Sequence, residues 1–127
     1  MRDLIVSAIA VSALIAAWLL FSAYSDSRIE SFTHTIETEI LPMVEEENWA
    51  ESNQQISALN ESWHRYKKTA LLFLDTESIN EIDYSLAKSL KYIAACDLSN
   101  SSGELLVLHE QLIYLSTNEK LILANIL

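Results

Sequence analysis

Residues 22–30 read SAYSDSRIE, and they join two stretches of opposite character. Before them, Leu4–Tyr24 (LIVSAIAVSALIAAWLLFSAY) is an apolar run without a charge. As a helix rising 1.5 Å per residue it reaches about 31 Å, the thickness of a hydrocarbon core. After them the chain turns acidic, and Ile29, Phe32, Ile36 and Ile40 recur at three- and four-residue steps. Ala23-Tyr24-Ser25 has the small-x-small pattern of a signal-peptidase site. The fold therefore turns on whether a helix passes through this point or the chain is cut after Ser25.

Two features favour passage. A secretory signal carries an apolar core of about 7–15 residues behind a basic start. Here the run is longer, and Arg2 is offset by Asp3. No Gly or Pro interrupts the pattern before Pro42, so a peptidase finds no extended segment to bind. We expect residues 1–3 in the cytoplasm, a transmembrane signal anchor over 4–24, and an extracytoplasmic acidic domain over 26–127. Arg2 and the terminal amine set that orientation, and Trp18 and Tyr24 suit the outer interface. A secreted helical protein, cut after Ser25, is the alternative. Within the run, Ala8, Ser12 and Ala16 form a small-residue stripe of the kind that lets membrane helices approach closely.

The outer part is expected to be all-α. The chain holds one Gly and one Pro in 127 residues, too few for a fold built on tight turns. Its first stretch is expected to kink or end near Leu41, because Pro42 lacks an N–H and clashes with the preceding turn. The second places Trp49, Ile56, Leu59, Trp63, Tyr66 and Phe73 on one face, with Ser52 as a polar exception and Lys67 and Lys68 on the solvated side. The third carries Ile82, Leu86, Leu90 and Ile93; the fourth carries Leu105, Leu108, Leu112, Leu115, Ile122 and Ile126. Asn48/Glu51, Ser78/Glu81 and Ser101/Glu104 have capping-box spacing, and DLSNSSG (97–103) has loop composition. Together they give an antiparallel up-down bundle of four helices, or three beyond a stalk. The C-terminal LILANIL then returns to the bilayer surface, where it is expected to pack as bundle core, contact with the headgroup region being the alternative.

Charge and composition exclude several functions. The formal charge is −10, all of it on residues 26–127 since Arg2 and Asp3 cancel. Such a domain has no electrostatic footprint for nucleic acid, and anionic headgroups repel it. The single cysteine, Cys96, allows no internal disulfide and suits a buried small hydrophobe. Glu61-x-x-His64 has the spacing of a di-metal bundle ligand pair, but such sites need the motif twice, and it occurs once. No cofactor or catalytic residue is expected.

Trp49 and Trp63 in NWAESNQQISALNESWHRYKK, with the later INEIDYSLAKSLKYI, resemble an uncharacterised bacterial family, domain of unknown function 4363. The resemblance implies one N-terminal membrane segment, a small helical outer domain and a bacterial cell-surface location. Two function classes remain: a non-enzymatic interaction module bound to a membrane or envelope protein or to itself, and a ligand-sensing bundle. A sensor that stops outside the membrane would signal through a partner.

Overall fold

The computed structural model describes the backbone of residues 1–126 and the side chains through Asn125. It has four helices and, among the described residues, no strand. Helix α1 spans Arg2–Glu45, α2 Trp49–Ala70, α3 Thr76–Ala94 and α4 Leu98–Ile126. The short connections make successive helices antiparallel. Cross-pairs between α1 and α4 fix their register: Glu37 meets His109 (3.6 Å), Asp26 meets Ser116 (3.4 Å), and Ser25 meets Glu119 (2.9 Å).

α1 is a full member of the bundle rather than a stalk. Phe21, Ile29, Phe32, Ile36, Ile40 and Val44 are all buried in the common core. They meet Ile56, Leu59, Trp63 and Tyr66 of α2, Ile82, Leu86 and Ile93 of α3, and Leu105, Leu108, Leu112 and Leu115 of α4. Trp49, Phe73 and Leu90 are half-buried at the edge of this core. Each fully buried side chain of this size contributes about 1.5–3 kcal/mol. Before Phe21 only Trp18 is half-buried, against Phe73, and Leu4, Ile5, Ile9 and Leu14 are exposed.

The helix neither ends nor breaks at Pro42. Residues Ile36–Ile40 form one π turn, in which the Leu41 N–H bonds back five residues to Ile36 O. The wider turn relieves the contact between the proline ring and the Thr38 carbonyl, which a regular helix would force. Ile36, Ile40 and Val44, four apart across this turn, all stay buried.

The expected caps are not the ones used. Asn48 occupies the α2 N-cap position without a side-chain bond. At α3 the cap is Asp75, which accepts from the Glu77 and Ser78 N–H groups, so Ser78 lies inside the helix. α4 begins before the expected cap at Ser101. Asp97 accepts from Asn100 N–H (3.1 Å) and from its side-chain amide (2.7 Å). These bonds hold the Asp97 carboxyl below the usual carboxylate range. Residues 98–103 are therefore helical despite the loop composition of DLSNSSG, because an aspartate at its head starts the helix. Ile122 and Leu123 are half-buried and Leu121 is exposed, whereas the Ile126 side chain and Leu127, both part of the expected core, lie outside the described residues.

Two turns close without glycine. Glu47 (φ 57°) and Cys96 (φ 55°) adopt left-handed backbone. Asn48 N–H reaches Met43 O (2.8 Å) and Asp97 N–H reaches Tyr92 O (3.0 Å), the six-to-one bonds of a Schellman cap. Cys96 is exposed in its turn, not buried. The chain's one glycine, Gly103, stands inside α4, where an added Cβ meets nothing within 4 Å. Gly103→Ala and Cys96→Gly are each expected to raise the unfolding free energy by about 0.5–1 kcal/mol, the first by removing helix-interior glycine and the second by relieving left-handed strain. Chemical denaturation of the purified protein measures both.

Candidate functional site

The polar cluster at the base of the bundle is built from the stretch that opens the domain. On α1, Ser22 and Ser25 continue the buried stripe of Ile29, Phe32 and Ile36 toward the N-terminus. Opposite them, Tyr66 of α2 and Glu119 of α4 are also fully buried. Ser25 Oγ donates to Glu119 Oε2 at 2.9 Å. Its single hydrogen is thereby used, so the 2.6 Å contact with Tyr66 Oη is a bond that the tyrosine donates. The chain Tyr66→Ser25→Glu119 ties three helices together.

Burial dominates the electrostatics of this cluster. It pushes the Glu119 carboxyl above the usual carboxylate range, against the pull of the Ser25 and Ser22 hydroxyls. Asp26 adds to the rise, and Lys120 opposes it. Glu119 Oε1 has no bonding partner among the described residues. Burial likewise holds the Tyr66 hydroxyl well above its ordinary value. A serine between a carboxyl and a phenol has the parts of a proton relay, but here all three are closed to solvent. What the arrangement does is hold α1, α2 and α4 at one height.

A second polar tie lies farther along. Trp63 Nε1 donates to Asp83 Oδ1 (2.6 Å), and Lys67 Nζ pairs with the other oxygen of the same carboxylate. Lys67 is thus half-buried, although its spacing placed it on the solvated face. The aromatic residues Trp63, Tyr66 and Phe32 pack edge-on or tilted with centroids 5.4–6.2 Å apart. The gap beside Phe32, Leu59 and Trp63 is about 10 Å³, too small for a ligand.

The remaining sequence candidates stay apart. Glu61 and His64 are both exposed on the outer side of α2, while Trp63 between them faces the core. Among the described residues no three His, Cys, Asp or Glu side chains gather in a metal-ligating group. Ala8, Ser12 and Ala16 lie on the bare part of α1 and are exposed. Sequence reasoning missed Ser22, Ser25 and Glu119. The signal was present: Glu119 falls between Leu115 and Ile122 on the apolar repeat of α4, as Ser52 does on α2.

The fold defines an all-α antiparallel bundle whose first helix runs on as a bare apolar rod. The family model described as domain of unknown function (DUF4363) matches residues 22–126, and the chain belongs to that family. The matched region begins where the buried face of α1 begins. No curated protein and no solved structure matches the chain.

The raised Glu119 carboxyl has a consequence for stability. Between the ordinary glutamate value and the raised one, the native state holds a proton that the unfolded chain has lost. The stabilisation from this group is fully present below the ordinary value and is lost as pH rises through the raised one. Relative to wild type, Glu119→Gln should therefore gain unfolding free energy as pH rises from about 4 to 8. Denaturation curves at several pH values test this, and a pH-independent difference would contradict it.

Proposed function

We propose that this protein is a non-enzymatic, single-pass protein of the bacterial cytoplasmic membrane. In this reading the N-terminus is inside, the bundle is presented outside, and the chain works by associating with a membrane or envelope protein or with itself. The observation that carries it is the continuity of α1. An 18-residue window of Arg2–Glu45 has mean hydropathy 2.6 and is only 6% buried, and the same helix then enters the bundle core without a break. Ser25, the residue before the candidate cut, sits in mid-helix and bonded on both sides. A cut after Ser25 would remove Phe21, Ser22 and Ser25 from the buried face of α1, which supports an anchor over a removed signal.

The non-enzymatic reading is supported by the closed Tyr66–Ser25–Glu119 cluster and by the isolation of Glu61 and His64. The acidic charge speaks against nucleic acid. Two surfaces suit association. One is the bare stripe of Ala8, Ser12 and Ala16. The other is an open groove of about 530 Å³ between α3 and α4, lined by Leu106, Val107, Tyr114, Glu81 and Glu110. This groove also favours the second reading, a ligand-sensing bundle acting through a membrane partner. A sensor shows a ligand-dependent rise in melting temperature, whereas an interaction module is indifferent to small molecules and co-purifies with a protein.

Cys96 makes topology measurable without engineering, being the sole cysteine and exposed. In bacterial spheroplasts a membrane-impermeant maleimide should label it without lysis, and the full-length mass should stay in the carbonate-washed membrane pellet. Labelling only after lysis would reverse the orientation. A soluble product beginning at Asp26 would replace the anchor with secretion.

A further inference from the structure

Resting on the reading of α1 as a membrane span, we infer that the base of the bundle is itself a lipid-binding surface. The turn Leu71–Leu74 between α2 and α3 sits in the outer leaflet, beside the last described turns of α4. The placement follows from what Phe73 touches. Its ring stacks on Phe21 with centroids 4.4 Å apart and 9° between planes, and lies 5.5 Å from Trp18. Both partners belong to the uncharged run that ends at Tyr24. Along a helix, Phe21 and Trp18 lie about 5–9 Å on the membrane side of Tyr24. The turn is therefore level with the outer part of the span, below its end.

The exposed residues of the turn match that depth. Leu72 is 79% exposed and Leu71 is 40% exposed. In water two adjacent bare leucines at a loop tip are unfavourable; in an outer leaflet they are at home. The register of α4 leads to the same level. Glu119 pairs with Ser25, so the antiparallel residues beyond it, including exposed Leu121 and half-buried Ile122 and Leu123, run down toward Phe21.

Charge permits the contact. The acidic triplet Glu45, Glu46 and Glu47 lies at the opposite end of the bundle, beside the α1–α2 turn. Those three carboxylates are thus kept from the base, where exposed Asp75 and Glu77 follow the turn on its α3 side. On the flanks of the base, Lys68 and Lys120 are exposed, with stems able to lie along apolar surface and ammonium groups able to reach headgroups. Asp75, the cap of α3, follows the turn and marks where the chain turns back to water. The occupant of this surface is the bilayer that α1 crosses, and three elements rather than one meet the lipid.

The test uses the full chain in phosphatidylcholine–phosphatidylglycerol vesicles with bromine-labelled acyl chains. An environment-sensitive fluorophore is placed singly at Cys96, at Leu72→Cys, or at Ala10→Cys, the last two with Cys96→Ser. Leu72 is exposed enough for the substitution to leave the core intact, and Leu71→Cys serves as a second probe of the same turn. Positions 71, 72 and 10 should all shift to the blue and lose emission to bromolipid, while position 96 should remain unquenched. Quenching at 10 with a water-like signal at 71 and 72 would overturn the inference and leave the anchor standing. A blue shift at 72 without bromolipid quenching would assign the turn to a protein contact and also overturn it. No quenching at 10 would remove the anchor, and the inference with it.

Discussion

A helix that runs bare for half its length and packs in a bundle for the rest must close its backbone hydrogen bonds within itself wherever no neighbour covers it. α1 is one helix from Arg2 to Glu45, and the other three helices are arranged along its C-terminal half. Its continuity decides where the bundle begins, because the first buried residues, Phe21 and Ser22, lie near the end of the apolar run and follow directly on exposed Leu20. A break at SAYSDSRIE would leave the bundle free to pivot. Instead the hydroxyls of Ser25 and Tyr66 and the carboxyl of Glu119 fasten the rod to its neighbours at that point.

The tie is polar where an apolar contact would have served, and this has a physical cost. A buried carboxyl gains from two serine hydroxyls but retains one oxygen without a partner among the described residues, and burial favours its protonated form. Polar groups in a core restrict the choice of register more than apolar ones do, since a slipped helix leaves them unsatisfied. Three helices held by one hydroxyl have only one height at which Tyr66, Ser25 and Glu119 all meet. Farther out, Asp83 plays a comparable part by taking both the Trp63 indole N–H and the Lys67 ammonium.

Much of the fold is legible in the sequence because it is periodic. Ile29, Phe32 and Ile36, or Leu105, Leu108 and Leu112, announce a buried face by spacing alone, and the scarcity of Gly and Pro announces long helices. What is illegible depends on local geometry or on single polar residues. Capping-box spacing at Ser78 and Ser101 competes with the aspartates that precede them, and a short carboxylate bonds helix N–H groups well enough to start the helix earlier. Pro42 reads as an ending only while the helix is regular, and one π turn removes the clash. Gly103 has the composition of a loop around it, while the left-handed turns fall to Glu47 and Cys96. Glu119 is hidden because an acidic residue on an apolar repeat is easily taken for surface.

The fixed attachment of α1 also gives its bare apolar segment a compass bearing. With 100° between successive residues, Ser22, Ser25, Ile29 and Phe32 point in one direction, toward the bundle. On the same wheel Ala8, Ser12 and Ala16 point roughly 80–160° away. The azimuth survives the passage along the rod because the helix is unbroken. Any helix that packs on that stripe approaches α1 from a side its own bundle leaves open, so such a contact and the bundle overhead occupy different flanks of the same rod.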